Sequence, residues 1–331
     1  RILKISERGK RKTMRILALD IGGTRMKLAL LQDGKIIKES MVPAYRDDAY
    51  QKNLDQAETE GRRMMAEMGL DHIDGLGIAF PGLVNPRDKV VVSANGKFVD
   101  AVGYDLKSWV KRTFDCPFIL DNDSNAALIG ELTYGCAQDT KDAVMMIFGT
   151  GVGAAAVMDG KLVRGKHFQA ACIGGHMVIE FGPDATPCNC GNIGCMEANA
   201  SSWALPIFAH KDPLFETSML KDLDVIDYKN LKACADKGDE LSVKLLRRSF
   251  DCWSANLCNL IIAYDPEVII LSGGIARMGE DLRRPLEEHV HKYAWTPWGH
   301  PDIRLAEKPE ASVVLGLHKL ALDEIAGKTA L

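Results

Sequence analysis

One histidine and three closely spaced cysteines form the most distinctive group of potential ligands in the sequence. They are His176, Cys188, Cys190 and Cys195. Three thiolates and one imidazole complete the tetrahedral shell of a structural zinc site, and four protein ligands leave no position for a reacting water. Gly191 and Gly194 permit tight turns between the cysteines. The spacing predicts a structural zinc site; free thiols beside an incidental histidine are the alternative.

Glu197 follows the last of these cysteines by two residues. A metal site at Cys195 would hold this part of the chain rigidly, and a rigid carboxylate is well placed to bind sugar hydroxyls. A solvated surface acid is the alternative interpretation. On the first interpretation Glu197 is a sugar ligand.

Two glycine-rich loops have the composition of phosphate-binding turns. The first contains Asp20, Gly22, Gly23 and Thr24, and the second contains Gly149, Thr150, Gly151 and Gly153. Glycine lets a backbone turn tightly and bring its N–H groups to phosphate oxygens. Thr24 adds a hydroxyl donor, and Asp20 could hold a magnesium ion through its waters. Either loop alone could be a plain turn, and the first lacks the Gly-Lys-Ser/Thr ending of a P-loop.

A third glycine turn, Ser272-Gly273-Gly274, follows a short apolar run at 268–271. It could admit an adenosine, or it could only connect a strand to a helix. Its composition alone does not decide between these two interpretations.

Asn122 and Asp123 stand between a strand predicted at 118–120 and a helix predicted at 124–132. Such residues at a strand-to-helix junction commonly cap the helix. The functional alternative is that Asp123 accepts the proton of a sugar hydroxyl as that hydroxyl attacks a γ-phosphate. Asn122 would then hydrogen-bond a neighbouring hydroxyl.

The elements around the two glycine loops repeat. Each loop joins two apolar strand patterns, and each second strand ends in an Asp-Gly hairpin turn, at Asp33-Gly34 and at Asp159-Gly160. The two copies lie about 130 residues apart. An internal repeat of this kind predicts two domains of one topology with a cleft between them, and it favours nucleotide phosphates as the ligand of both loops.

The remaining patterns give the domain organisation. Amphipathic or polar helices are predicted at 49–68, 239–264 and 311–325, and further buried strands at 75–80 and 268–271. Residues 14–122 together with about 311–331 are expected to form a small N-terminal α/β domain. Residues 123–310 are expected to form a larger C-terminal α/β domain with the zinc loop, and residues 1–13 a tail.

Composition excludes several classes of protein. The 331 residues exceed one comfortable hydrophobic core, and 47% of them are apolar and 26% charged, as in globular proteins. The net charge of −4 gives no general attraction to nucleic acid. No apolar run is long enough to span a membrane, and we expect a cytoplasmic protein. In that compartment the nine cysteines favour a metal site over disulfides.

These residues together resemble the ROK family (repressors, open reading frames and sugar kinases). The resemblance runs through Asp20-Ile-Gly-Gly-Thr24, Pro81-Gly82, Asn122-Asp123, the 149–153 loop and the segment from Gly175 to Glu197. It implies an α/β fold with two actin-like (ribonuclease H-like) domains, ATP and magnesium in the cleft, and a homodimer. It also implies transfer of the γ-phosphate of ATP to a hexose, typically at the 6-hydroxyl.

The resemblance also implies roles for individual residues. Asp123 matches the general base, and the sugar ligands correspond to Asn122, His176 and Glu197. Gly82 and Asn95 are expected to line the same pocket. His176 would serve twice, with one ring nitrogen on zinc and the other donating to the sugar.

One position departs from the family pattern. The family has Glu-x-Gly-His before the cysteines, whereas this sequence has Ile173 in place of the glutamate. Isoleucine cannot accept a hydrogen bond, and a buried hydroxyl without a partner costs about 1–3 kcal/mol. The sugar is therefore expected to lack a hydroxyl there, to carry an apolar substituent or to be an unusual epimer, unless the glycines at 174–175 absorb a shift in the comparison.

Two other functions within the family remain as alternatives. One is a repressor, which would carry an N-terminal helix-turn-helix module. Only 19 residues precede Asp20, so a kinase is expected instead. The other is a non-catalytic sugar-binding or regulatory protein, which Ile173 would favour.

Overall fold

The computed structural model describes residues 13–45, 49–94 and 98–328. The predicted tail lies outside these residues except for Thr13. The chain divides into two compact units. Unit 1 takes in the described residues up to Asp139, Arg164–Gln169 and those from Lys308 onward, and unit 2 consists of Thr140–Val163 and Ala170–Glu307.

Unit 1 is built on a mixed five-stranded sheet. Its strands are β1 (Arg15–Ile21), β2 (Arg25–Gln32), β3 (Lys35–Pro43), β4 (Gly75–Phe80) and β7 (Phe118–Asn122), in the order β3-β2-β1-β4-β7. The first three strands pair antiparallel, and β1, β4 and β7 run parallel. A separate hairpin consists of β5 (Leu83–Asn85) and β6 (Val90–Ser93). Because β1, β4 and β7 are parallel, their carboxyl ends share one edge of the sheet.

Helices cover both faces of this sheet. They are α1 (Tyr50–Glu67), α2 (Leu106–Thr113), α3 (Asp123–Tyr134) and α9 (Ser312–Ile325). Leu17, Leu19 and Ile21 of β1 belong to the core formed with α1 and α2, whereas Ala18 belongs to the core formed with α3 and α9. This alternation is the two-residue period of a strand buried on both faces.

Helices α3 and α9 approach each other through two glycines. A Cβ at Gly316 would lie 1.7 Å from the Ala126 carbonyl oxygen, and one at Gly130 would lie 2.0 Å from that of Ser312. Side chains at either position would push the helices apart. This packing places α3 in unit 1, so that unit 1 continues to Asp139 instead of ending at residue 122 as the sequence analysis expected.

Unit 2 repeats the sheet of unit 1. Its strands are β8 (Ala143–Phe148), β9 (Val152–Met158), β10 (Lys161–Leu162), β11 (Val268–Gly273) and β12 (Asp302–Leu305), in the order β10-β9-β8-β11-β12. Again the first three strands pair antiparallel, and β8, β11 and β12 run parallel. The hairpin turns match as well, with left-handed backbone at Asp33-Gly34 and at Asp159-Gly160. The predicted repeat is confirmed.

The helices of unit 2 enclose its main core. They are α4 (Met196–Ala200), α5 (Leu205–Lys211), α6 (Tyr228–Ala235), α7 (Glu240–Tyr264) and α8 (Glu280–Tyr293). Helix α7 begins where the Asp239 side chain accepts a hydrogen bond from the Ser242 N–H, as expected of an N-cap. Its buried side chains, among them Trp253, Leu257 and Leu260, recur at helical spacing. Within the described part of the chain, no helix has the length and apolarity needed to cross a membrane.

A buried histidine in α9 makes the stability of unit 1 depend on pH. His318 is 1% exposed, and its Nδ1 lies 2.9 Å from the hydroxyl of Tyr134. Burial lowers the pKa of His318 to about 4, below the 6.5 of an unfolded histidine. The unfolded chain therefore takes up a proton first as pH falls. His318 therefore leaves the free energy of unfolding unchanged above pH 6.5. Below that pH the free energy of unfolding falls progressively toward pH 4, by about 3 kcal/mol in all.

We expect His318→Gln to remove this dependence, because an amide can accept the Tyr134 hydrogen bond but does not titrate. The free energy of unfolding, measured by urea titration between pH 7.5 and 4.5, should fall less steeply in the variant than in the wild type. Exposed His72 provides the control as His72→Gln. Equal slopes for wild type and His318→Gln would contradict the assignment.

Candidate functional site

The first glycine loop is a tight connection between β1 and β2 in unit 1. The Gly22 N–H donates to the Arg25 carbonyl at 3.0 Å, and a Cβ at Gly22 would lie 2.6 Å from that oxygen. Only glycine fits this turn. It leaves Gly23 and Thr24 at the tip of the loop, next to the carboxyl end of β1.

Asp20 carries an unusual carboxyl group at this strand end. Burial raises the pKa of Asp20 to about 7, and the negative charge of Asp123 contributes to the increase. Lys27, which pairs with Asp20 on the neighbouring strand β2, lowers the pKa of Asp20. The negative charges of Asp20 and Asp123 repel each other. A divalent cation bound nearby would offset this repulsion, so the two carboxyl groups suit a divalent cation site.

Asn122 has the capping role that its position allows. Its Oδ1 accepts from the backbone N–H groups of Ser124 and Asn125 at 2.9 and 3.3 Å, and its Nδ2 donates to the Gly82 carbonyl at 3.1 Å. The amide has a second hydrogen that these contacts do not use. Helix capping and sugar binding were the alternatives for Asn122, and the structure shows the cap.

Asp123 is the first residue of α3, at the carboxyl edge of the sheet. Its Oδ1 accepts from the Ser124 N–H at 2.8 Å. A carboxylate at a helix N-terminus is stabilised by the helix dipole. Asp121, two residues before Asp123, is buried and forms an ion pair with Arg164 that was not predicted from the sequence.

Gly82 and Asn95 were expected in the same pocket. Gly82 follows β4, and a Cβ there would lie 2.4 Å from the Ser93 carbonyl oxygen, so the close approach of β6 requires glycine. Asn95 lies outside the described residues. Unit 1 thus brings together Asp20, Gly82, Asn122 and Asp123.

The second glycine loop joins β8 to β9 in unit 2. The Gly149 N–H donates to the Gly151 carbonyl at 2.9 Å. Gly273, with φ of +90°, packs against Phe148, whose carbonyl oxygen would lie 2.2 Å from a Cβ at that position. The Ser272-Gly273-Gly274 turn therefore lies beside the start of the second loop.

Glu197 is attached to this loop by its side chain. Its Oε2 accepts from the Val152 N–H at 2.8 Å, and a Cβ at Gly151 would lie 2.4 Å from the same oxygen. Its Oε1 accepts from Trp203 Nε1 at 3.2 Å and from Asn189 Nδ2 at 3.4 Å. Glu197 is 7% exposed, so it is not a solvated surface acid. The supporting role of Trp203 was not predicted, because a lone tryptophan in a sequence more often belongs to a core.

The predicted zinc ligands converge. One ligand atom from each of His176, Cys188, Cys190 and Cys195 lies within 4.8 Å of all the others. The Cys190 and Cys195 sulfurs are 3.7 Å apart, and the Cys188 sulfur lies 3.5 Å from His176 Nδ1. A tetrahedral zinc with ordinary bond lengths requires about 3.8 Å between sulfurs and about 3.5 Å between sulfur and nitrogen. The donors therefore fit zinc, with Nδ1 of His176 as the ligand atom.

The backbone around the cysteines requires its glycines. Gly191 and Gly194 have φ of +88° and +70°. A Cβ at Gly194 would lie 1.9 Å from the Glu180 carbonyl oxygen. Asn199 supports the same loop by donating to the Cys195 carbonyl at 3.0 Å. Unit 2 thus brings together the second glycine loop, Glu197 and the four potential metal ligands.

Known proteins are similar to this chain in sequence and in fold. The glucokinase of Thermotoga maritima is 29% identical over 326 residues, covering 95% of this chain and 99% of its own. The structure of a ROK family glucokinase from Streptomyces griseus in complex with glucose and AMPPNP matches with a TM-score of 0.76 and 26% identity, over 93% of this chain and 99% of that one. The xylose repressor of Bacillus spizizenii is 29% identical over 61% of this chain and 48% of its own.

The α/β fold with two actin-like domains is confirmed by these structural matches. The relatives include both kinases and a repressor, so the match by itself does not choose between those activities. The model of the ROK family matches residues 16–324. The chain therefore belongs to the ROK family.

Proposed function

We propose that this protein is an ATP-dependent sugar kinase that transfers the γ-phosphate to a hydroxyl of a hexose or a similar sugar, with the 6-hydroxyl as the expected acceptor. The observation that carries the proposal is the placement of Asp123 beside Asp20 at the carboxyl edge of the unit 1 sheet. One carboxylate suits a magnesium ion and the other suits a proton acceptor. The kinase relatives support the same activity.

The proposed reaction is a direct transfer. The oxygen of the sugar hydroxyl attacks the γ-phosphorus, and the bond from that phosphorus to the β–γ bridging oxygen breaks. The hydroxyl proton passes to a carboxylate oxygen of Asp123, and ADP leaves with the bridging oxygen. Asp20 would hold magnesium, which neutralises charge on the phosphates.

Backbone groups supply the remaining contacts to the nucleotide. We assign the phosphates to the first loop (Gly22, Gly23 and Thr24) and the second loop (Gly149, Thr150, Gly151 and Gly153). The adenosine is assigned to Gly273 and Gly274, because their turn adjoins the second loop. Backbone N–H groups held in tight turns need little reorganisation when they bind phosphate.

The sugar is assigned to Gly82, Asn95, Asn122, His176 and Glu197. Zinc on Nδ1 of His176 would leave Nε2 to donate to a hydroxyl, and the metal would serve only to hold this loop rigid. Glu197 accepts three protein hydrogen bonds, and a carboxylate has about four acceptor positions. One position thus remains for a sugar hydroxyl. The homodimer implied by the resemblance stays a prediction.

Ile173 sets the expected selectivity. It immediately precedes the short turn that carries His176, and its carbonyl accepts from the His176 N–H at 2.9 Å. An apolar side chain at this point disfavours a sugar that needs an acceptor there. We therefore expect the preferred substrate to lack that hydroxyl, to carry an apolar substituent there or to be an unusual epimer.

Release of ADP with a panel of sugars tests the function. The panel comprises glucose, mannose, allose, fructose, N-acetylhexosamines, β-glucosides and a cyclitol. We expect turnover with at least one of them, and we expect Ile173→Glu to raise kcat/KM for glucose by about 10-fold or more, the effect of one restored hydrogen bond to a charged group. Ile173→Gln separates the restored acceptor from the added charge. Unchanged glucose selectivity in both variants would contradict the role of Ile173.

The second candidate is a sugar-binding protein without kinase activity. Ile173 and the similarity to a repressor favour it. Calorimetric binding of a panel sugar without ADP release from any of them would establish this candidate in place of the kinase.

A further inference from the structure

A buried ion pair lies directly before the Asn122–Asp123 junction. Arg164 Nη1 donates to Asp121 Oδ1 at 2.9 Å, and Nη2 donates to Oδ2 at 2.6 Å. The side chains of Arg164 and Asp121 are 9% and 3% exposed. This two-point geometry is specific to arginine and fixes the plane of the carboxylate.

The same carboxylate holds the residues on either side of Asp123. Asp121 Oδ1 also accepts from the Asn122 N–H at 2.8 Å and from Asn125 Nδ2 at 3.0 Å. One oxygen atom thus receives three hydrogen bonds. The guanidinium of Arg164 supplies the positive charge that pairs with this carboxylate.

Arg164 is carried by a short segment that belongs to unit 1 although its neighbours in sequence do not. Residues 164–169 group with unit 1, whereas Val163 and Ala170 group with unit 2. Near the other end of the segment, the Phe168 ring lies 5.6 Å from the guanidinium of Arg87. The segment therefore contacts the rest of unit 1 at two described points, and one of them is the carboxylate two residues before the proposed base.

A role in stability alone does not account for this arrangement. Burying two charges costs desolvation that their attraction often fails to recover, so buried ion pairs contribute little net stability. The benefit of this pair is geometric, because it restrains the residues that flank Asp123.

We propose that Arg164 is a positioning residue for the phosphoryl transfer, acting through Asp121 on Asn122, Asn125 and thereby on Asp123. This inference rests on the proposed function. Without the guanidinium, the Asp121 carboxylate loses the two-point contact that fixes its plane, and a buried carboxylate without a counter-charge is unfavourable where it stands. A shift of this side chain weakens its hold on Asn122 and Asn125, and a displacement of about 1 Å at a reacting group can cost 10²-fold in rate.

The test compares Arg164→Met, Arg164→Lys and the double variant Asp121→Asn/Arg164→Met. In Arg164→Met we expect kcat to fall by about 10-fold or more while the KM for ATP changes by less than about threefold. Arg164→Lys should recover part of the rate, since it restores charge without the two-point contact. The double variant should have a higher kcat than Arg164→Met. An asparagine at position 121 can still accept from the Asn122 N–H and Asn125 Nδ2, and it leaves no buried charge without a partner.

The rate per folded molecule separates positioning from folding. A purely structural role would lower the Tm of Arg164→Met and leave the kcat of the folded protein unchanged, whereas a positioning role lowers that kcat, and the double variant recovers it. Lys89→Met provides the matched control, because it removes another ion pair of unit 1, with Glu324 at 2.8 Å. In that variant any effect should be confined to stability, and its kcat should match the wild type.

The outcomes are distinct. If Asp123→Asn is inactive and folded Arg164→Met keeps the wild-type kcat, the inference is overturned and the proposed function stands. If the wild type releases no ADP with any sugar, or Asp123→Asn turns over normally, the proposed function or its base is wrong and this inference is overturned with it. A lower kcat in Arg164→Met, with recovery in the double variant, supports the inference.

Discussion

Asp123→Asn protein should bind sugar and ATP as the wild type does and should transfer phosphate about 10²–10⁴ times more slowly, the usual contribution of a positioned general base. Asparagine has the same shape as aspartate but cannot accept a proton from the sugar hydroxyl. The hydrogen bond from Ser124 to residue 123 can persist with an amide oxygen as acceptor. The measurements are single-turnover transfer with labelled ATP and calorimetric binding of sugar and nucleotide.

Stability has to be separated from chemistry in this variant. Asp123 lies in the first turn of α3, where its charge stabilises the helix by about 0.3–1 kcal/mol. A small decrease in Tm is therefore expected and does not explain a large loss of rate. Asp227→Asn, in a different helix cap, gives the matched control, because Asp227 accepts from the Asn230 N–H at 2.8 Å. Rapid transfer by Asp123→Asn would refute the general base.

Features of this molecule that depend on local backbone geometry could be predicted from the sequence. The Asp33-Gly34 and Asp159-Gly160 turns need left-handed backbone, which glycine adopts freely and aspartate tolerates, so the two hairpins were recognisable. The cysteine spacing was informative for the same reason, because Gly191 and Gly194 make the required turns. Spacing alone left the roles of Asn122, Asp123 and Glu197 open, and the roles that the resemblance to a family implies for them stay predictions.

Features that depend on distant contacts could not be predicted. Arg164 and Asp121 are 43 residues apart, and a single arginine after a strand gives no sign of its partner. Unit 1 extends to Asp139 because Gly130 and Gly316, far apart in the chain, bring α3 against α9. The attachment of Glu197 to the Val152 N–H was missed because nothing in the sequence shows which backbone group a carboxylate will meet.

The attachment of Glu197 gives the predicted metal a second effect besides holding its own loop. Asn189 lies between Cys188 and Cys190 and donates to Glu197 Oε1, while Glu197 Oε2 holds the Val152 N–H of the second glycine loop. Trp203 joins the same group, since its N–H donates to the Thr150 carbonyl at 3.2 Å and its ring nitrogen to Glu197. A disordered cysteine loop would thus release contacts on the loop assigned to ATP phosphates.

Protein purified without added metal should contain about one zinc per chain, and Cys190→Ser should lower that content sharply, because the thiolate is the preferred ligand. Cys190 is exposed, so its loss should disturb packing little apart from the metal. A charge-assisted hydrogen bond is worth about 1.5–3 kcal/mol, so loss of the Glu197–Val152 contact should weaken AMPPNP binding by about 10-fold or more. Elemental analysis, thiol titration and calorimetry give the three measurements, with Cys258→Ser in α7 as the control.

Absence of zinc with fully titratable cysteines would refute the metal site. Loss of zinc with unchanged AMPPNP affinity would instead refute the coupling through Glu197, because the contact at Val152 would then be independent of the metal.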